Sequence, residues 1–253
     1  MQKWTITLIF FAVGSLRAQG PSTTELTEAK EKYSTALEAA ARSFYQAMKA
    51  EINRVENTRG LKPSEKVAIL DRLGRERECF EKEGTLPRSE EYLQALYNYA
   101  EKVHKAQQPV MKLYDRRMAQ ALGEKKLELA KQLVQEKKQF DEQIPGRKHL
   151  EKDSKWVGVR KEGNVTAHIT VQFERAEGEL RGVITQTRAG SMKFTGNLIG
   201  NRLEFHTTEA VQGTFRASDF QGYVVDKKLL MNATGFRKDG RPTNDLVILD
   251  LKE

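Results

Sequence analysis

The stretch Val165-Thr166-Ala167-His168-Ile169-Thr170-Val171-Gln172-Phe173 alternates apolar and polar residues at every step. Side chains of a β-strand point alternately to opposite faces, so the pattern predicts a strand with one buried and one wet face. Short turns rich in Gly, Asn and Asp separate further runs of strand-forming residues, about eight in all. The sequence therefore predicts an antiparallel β-meander, either an up-and-down barrel or a sandwich made by one folded sheet. The other runs lie at 156–160, 179–187, 191–198, 202–208, 213–225, 228–236 and 245–252.

The apolar positions of these runs form the candidate interior of the β domain. One interpretation is a filled core. The other is a ligand cavity lined by Phe173, Phe194, Phe205 and Met231, because an eight-stranded barrel can hold one small ligand. The full candidate interior is Val171, Phe173, Ile184, Phe194, Leu203, Phe205, Val224 and Met231. Glycines inside strands favour bends or close backbone approach, and they occur at Gly182, Gly196, Gly222 and Gly235.

Residues 21–144 are rich in Ala, Glu, Lys, Gln and Leu and poor in Gly, a composition that favours helices. The first predicted helix carries apolar residues at steps of 3, 4 and 7, which is typical of one buried stripe. That stripe is Leu26, Tyr33, Leu37, Ala40, Phe44, Met48, Ile52 and Val55. Three more predicted helices carry Val67, Leu70, Leu73 and Phe80; then Leu93, Leu96, Ala100, Val103, Ala106, Val110 and Leu113; then Leu127, Ala130, Leu133 and Phe140.

Glycine, proline and serine mark the ends of these helices. Gly60 suits a left-handed cap, Pro63 suits the first turn of the second helix, and Ser89 suits the N-cap of the third. Pro109 predicts a kink or an interruption of the third helix near Lys105, because proline cannot donate a backbone hydrogen bond.

The helical segment resembles two copies of one helical hairpin. Tyr33, Ala36 and Leu37 recur 59 positions later as a second Tyr-x-x-Ala-Leu beginning at Tyr92, and each copy has a long arm, a break and a short arm. We therefore expect an α+β fold with two domains, in which the hairpins pack as a bundle or coiled coil. The expected boundaries are a signal peptide at 1–20, a helical domain at 21–144 with repeats at about 23–83 and 88–144, a linker at 145–154 and the β domain at 155–253.

The N-terminus has the pattern of a secretory signal peptide. Lys3 precedes an apolar run at 5–16, and the small residues Ala18 and Gly20 follow it. The run is too short to span a bilayer, which needs roughly 20 residues. The pattern predicts an exported protein of the periplasm, cell envelope or extracellular space, with no transmembrane span after cleavage; an uncleaved N-terminal anchor is the alternative.

The single cysteine, Cys79, cannot form an internal disulfide and is predicted to be a semi-buried helix thiol.

The sequence carries no catalytic or metal-binding motif that we recognise. Its four histidines, at 104, 149, 168 and 206, lack metal-ligand spacing and are predicted at the surface or rim. Glu174, Glu177 and Glu179 surround a predicted turn and are interpreted as solvated rather than as paired catalytic carboxylates. The oxygen-rich stretch 239–245 is predicted to form a hairpin turn; the alternative, a Ca²⁺ loop, lacks the bidentate Glu of an EF-hand. We expect no catalytic, cofactor-binding or metal-binding residues. The missing motifs favour a protein that is not an enzyme.

The basic charge is spread over the chain. The formal net charge is +8, from 43 Lys and Arg against 35 Asp and Glu. Residues 19–150 carry a net +4 and residues 151–253 a net +2, whereas a nucleic-acid-binding protein would concentrate its charge on one surface. The sequence therefore predicts no nucleic-acid partner.

A signal peptide, Ala/Glu/Lys/Leu-rich helical hairpins and a terminal β-meander with Trp156-Val157-Gly158 and Phe194-Thr195-Gly196-Asn197-Leu198 resemble uncharacterised exported bacterial proteins. The resemblance implies an envelope or extracellular protein and carries over no catalytic residue.

Three functions follow as hypotheses. The first is a non-enzymatic interaction or scaffold protein, with a helical arm for spacing or homo-oligomerisation and a β domain that binds an envelope or extracellular protein or polymer. The second is a small-ligand carrier that uses the barrel interior. The third is an envelope polymer hydrolase using Glu174 or Glu179.

Overall fold

The structure, a computed structural model, describes residues 21–143, 150–162, 165–175, 179–213, 217–236 and 242–252. Within these ranges, four α-helices precede eight β-strands, so the predicted α+β fold is confirmed. The chain divides into two compact units, one up to Arg117 and one from Met118 onwards. The predicted signal peptide, His149, Glu177 and residues 239–241 lie outside the described residues. The rest of the stretch 239–245 belongs to the last strand of the chain, where Asp245 is buried and does not lie in the predicted turn.

The helices follow the predicted long, short, long, short order. They contain 37, 21, 31 and 16 residues. Pro63 begins the second helix, and Gly84 follows its end with a left-handed φ of 71° and an N–H that donates to the Phe80 carbonyl at 3.0 Å. The helices are α1 Pro21–Asn57, α2 Pro63–Glu83, α3 Leu93–Gly123 and α4 Leu127–Glu142, with a 3-10 turn at Glu90–Tyr92 before α3.

Two predictions about helix ends and breaks need correction in part. The predicted interruption at Pro109 does not occur, since α3 runs through it without a break. Proline removes one backbone hydrogen bond, and the buried Val103 and Val110 on either side anchor the helix by packing. Ser89 precedes the 3-10 turn and its carbonyl accepts from the Tyr92 N–H at 3.1 Å, but its hydroxyl makes no capping bond.

Some predicted exposures also need correction. Val67 and Leu127 lie near the beginnings of α2 and α4 and are 58% and 56% exposed, because the buried residues of each helix begin further along it. His104, predicted at the surface, is buried on α3 beside Gln107 and Gln108, whose amide nitrogens lie 3.0 and 3.3 Å from its ring nitrogens. Cys79 on α2 is a free, exposed thiol rather than a semi-buried one.

The unit that ends at Arg117 packs α2 and α3 against α1 through aromatic rings. Phe44 of α1 lies 4.9 Å from Phe80 of α2 and 5.2 Å from Tyr99 of α3, measured between ring centroids. Lys102 donates to the Ser43 hydroxyl at 2.6 Å, while Glu25 near the start of α1 pairs with arginines late in α3. Helices α1 and α3 are therefore antiparallel.

The β-strands form a closed antiparallel barrel, so the barrel alternative is correct and the sandwich is not. Each strand pairs with its neighbours in sequence, and β1 pairs with β8 to close the sheet. The strands are β1 Lys155–Glu162, β2 Val165–Arg175, β3 Glu179–Gln186, β4 Gly190–Ile199, β5 Arg202–Gly213, β6 Ser218–Val225, β7 Lys228–Phe236 and β8 Pro242–Leu251.

The barrel core consists of the inward residues of every strand. All eight predicted interior residues are buried in one apolar cluster, together with Trp156 of β1 and Leu249 of β8. The period-two alternation therefore identified the buried face correctly.

Candidate functional site

The four residues predicted to line a ligand cavity lie together inside the barrel. Phe173, Phe194, Phe205 and Met231 are at most 3% exposed and belong to the same apolar cluster. Neighbouring rings contact one another, with centroids 5.5 Å apart for Phe173 and Phe194 and 4.4 Å apart for Phe194 and Phe205. A fourth ring, Phe220, stacks on Phe205 at 4.8 Å. These rings pack on one another and fill the part of the interior they occupy.

Strand glycines make room for these rings. Gly182 pairs with Phe194 across β3 and β4, and Gly196 pairs with Phe205 across β4 and β5. A Cβ atom at Gly182 would lie 2.6 Å from Cζ of Phe194, and one at Gly196 would lie 2.4 Å from Cβ of Phe205. The glycines predicted to allow close approach therefore accommodate the aromatic core.

One end of the interior is polar. Arg160 lies four residues after Trp156 on β1 and so shares its inward face. Its Nε and Nη2 donate to Oδ2 of Asp245 on β8 at 2.7 and 2.6 Å, and its Nη1 makes a long contact of 3.5 Å with Oε1 of Gln186 on β3. The Asp245 side chain is only 1% exposed. A buried carboxylate is thus neutralised by a guanidinium within the barrel.

The other groups of the barrel that could suggest chemistry are exposed to solvent. Glu174 and Glu179 are exposed on β2 and β3, and His168 and His206 are exposed on β2 and β5. Within the described ranges, no group of three His, Cys, Asp or Glu side chains is arranged to hold a metal ion.

A second feature, which we call the α1–α3 groove, lies within the unit that ends at Arg117. It has a volume of about 560 Å³, inside the range of small-molecule sites. Three alanines and a proline line the groove, and larger side chains at these positions would fill the space between the antiparallel helices α1 and α3. Its apolar lining residues are Ala29, Tyr33 and Ala36 of α1 and Ala106, Pro109 and Leu113 of α3.

The rim of the α1–α3 groove is charged. Glu25 pairs with both Arg116 and Arg117, and the hydrogen bond from Arg117 is the main reason why its pKa is lowered, while desolvation opposes the shift. Lys32, Lys112 and Glu28 also line the groove and are exposed. Burial raises the pKa of Tyr33 far above its ordinary value, so its hydroxyl stays neutral and able to donate at neutral pH.

A third feature is a group of exposed apolar side chains near the turn between α3 and α4, which we call the α4 stripe. It consists of Leu122 at the end of α3 and Leu127 and Val134 of α4, which are 58%, 56% and 51% exposed. Leu127 and Val134 are seven residues apart, or two helical turns, and therefore lie on the same face of α4.

Only parts of these features can be predicted from the sequence. Ala36 and Ala106 fall in predicted helices, but the sequence does not show that they face each other. Leu127 fits the predicted stripe of the fourth helix, and its exposure depends on packing that the periodicity of one helix does not report.

Comparison with known proteins adds no relative: no family model, no curated protein and no solved structure matches the chain. In the part of the chain that the structure describes, no helix combines the length and the apolar character needed to cross a membrane.

Proposed function

We propose that the protein is an exported, non-enzymatic interaction protein, whose helices associate with a second copy and whose barrel is the binding module for an envelope or extracellular protein or polymer. The α4 stripe carries this proposal. It contains three of the six large apolar side chains found strongly exposed, within 13 residues of sequence. Exposed apolar residues clustered in this way are typical of an interface rather than of scattered surface positions.

The surroundings of the α4 stripe support an interface. Ion pairs within the same segment link Glu124 to Lys126 at 2.7 Å and Glu128 to Lys131 at 2.9 Å. Locally neutralised charges reduce the repulsion between two copies of a basic chain, and they form the polar rim that surrounds an apolar interface core.

The barrel supports a binding role through its rigidity. Its closed sheet and packed aromatic interior hold the outer side chains and the connections at both ends on a fixed scaffold. Binding residues on such scaffolds commonly lie in the connecting loops.

The association is tested by sedimentation velocity of the full chain and of the variant Leu127→Glu/Val134→Glu. We expect the wild type to form dimers as concentration rises and the variant to remain monomeric. Val67→Glu is the matched control, because Val67 is equally exposed on α2, outside the stripe. A wild type that stays monomeric at every concentration, or a variant that dimerises like the wild type, would contradict the proposal.

A small-ligand carrier remains the second candidate, because Arg160 places a cation inside a closed barrel of eight strands. Native mass spectrometry of the gently purified chain should then show a retained ligand that Arg160→Met releases. A chain that carries no ligand would exclude the carrier.

A further inference from the structure

The α1–α3 groove is lined by apolar side chains from both helices and bordered by charged ones. Ala29, Tyr33 and Ala36 follow one face of α1, and Ala106, Pro109 and Leu113 follow one face of α3. From Ala29 to Ala36 the lining extends over seven residues of α1, or about 10 Å at 1.5 Å per residue. An unbranched hydrocarbon chain of about ten carbons is an apolar group that can contact these residues along the helix.

The charged rim favours an anion at the end of such a chain. Lys32 on α1 and Lys112 on α3 both line the groove and are exposed, and among the described residues neither forms an ion pair. Arg116 extends this side of the rim, and the charge of Glu25 is already compensated by Arg116 and Arg117. Glu28 contributes the one remaining carboxylate, so the rim is cationic overall.

We propose that the α1–α3 groove binds a monomeric single-chain amphiphile with a carboxylate head group, the chain lying against the alanines of the groove and the head group against Lys32 and Lys112. This site goes beyond the proposed interaction function and does not depend on the α4 stripe.

The experiment is isothermal titration calorimetry of the full chain with octanoate, decanoate and dodecanoate below their micelle concentrations. We expect saturable binding that tightens by up to about fourfold for each added CH₂ group as more chain is buried. Decyltrimethylammonium has the same chain length as decanoate but a cationic head group. We expect it to bind at least tenfold more weakly than decanoate.

Two variants locate the site. Lys32→Glu/Lys112→Glu should weaken decanoate binding at least tenfold, and these exposed side chains can change without affecting the fold. Ala36→Phe should abolish binding by filling the groove, with circular dichroism to check folding. Arg42→Glu/Arg59→Glu is the charge-matched control, because both arginines are exposed and neither lines the groove, and it should bind like the wild type.

Several results would overturn the proposal. These are the absence of decanoate binding, equal binding of decyltrimethylammonium, and undiminished binding by Lys32→Glu/Lys112→Glu. Binding to vesicles of anionic phospholipid without binding of monomeric decanoate would also overturn it, because the lysines would then face a membrane surface.

Discussion

The Arg160–Asp245 pair shows what single residues contribute to the barrel. The two residues are 85 positions apart and meet only because β1 pairs with β8. The alternating pattern could place each of them in a strand, but their contact depends on closure of the sheet. Removing one partner of a buried ion pair leaves a charge without compensation, which is more costly than replacing both.

We therefore expect Asp245→Ala to lower the free energy of unfolding by about 3 kcal/mol. The double variant Arg160→Met/Asp245→Leu should recover most of this loss, because it removes both charges. Urea unfolding followed by Trp156 fluorescence in a Trp4→Phe background measures both values, since the chain has two tryptophans. Equal stability of Asp245→Ala and the wild type would show that the pair is not buried as described.

The strand glycines give a second test at the scale of the residue. Gly182→Ala should lower the free energy of unfolding by about 1–3 kcal/mol, because its Cβ would overlap the Phe194 ring and the Gln172 carbonyl. Gly74→Ala is the opposite control. Nothing lies within 4 Å of a Cβ at Gly74 in α2, so alanine there should stabilise the chain by up to about 1 kcal/mol. Opposite signs are expected in the same urea assay, and a harmless Gly182→Ala would contradict the account of the core.

At the scale of elements, local patterns predicted most of the structure and packing decided the exceptions. The strand alternation locates all eight strands, although β5 continues to Gly213 and β6 begins at Ser218, where the sequence predicts one run from 213 to 225. Two register shifts occur in the pairing of β4 with β5, and such irregularities leave little trace in the alternation. The intrinsic effect of Pro109 predicts a kink or an interruption, but α3 continues through it and has buried residues on both sides.

The packing of α1, α2 and α3 predicts a dependence of stability on pH. Burial raises the pKa of Tyr99 to about 12, against about 10 in the unfolded chain. The folded state therefore keeps the proton that the unfolded state loses between these values. The stabilisation is complete below pH 10 and falls by up to about 1.4 kcal/mol per pH unit above it.

Tyr99→Phe isolates this effect, because phenylalanine keeps the ring contacts with Phe44 and Phe80 but does not titrate. We expect its free energy of unfolding to fall less steeply above pH 10 than that of the wild type. Urea unfolding followed by far-UV circular dichroism at several alkaline pH values gives the two slopes. Identical slopes would mean that Tyr99 is not protected in the folded state.

At the scale of the whole molecule, the change of composition near Pro145 separates helices from strands. Ala, Glu, Lys and Leu favour helices and are common before it, whereas Val, Thr and Phe favour strands and are common after it. The α1–α3 groove and the α4 stripe could not be predicted in this way. The groove needs Ala36 and Ala106 to meet from two helices, and the stripe exists only because Leu127 and Val134 are left outside the buried face of α4. Both depend on how elements pack, which is a property of the folded chain rather than of any local pattern.

The central proposal is that two copies meet through the α4 stripe. The direct measurement is disulfide cross-linking of Leu127→Cys/Val134→Cys in a Cys79→Ser background, in which the only thiols are those introduced. Mild oxidation should give a covalent dimer at low protein concentration, whereas Val67→Cys in the same background should remain monomeric. A stripe variant that stays monomeric, or that cross-links no faster than Val67→Cys, would contradict the proposal.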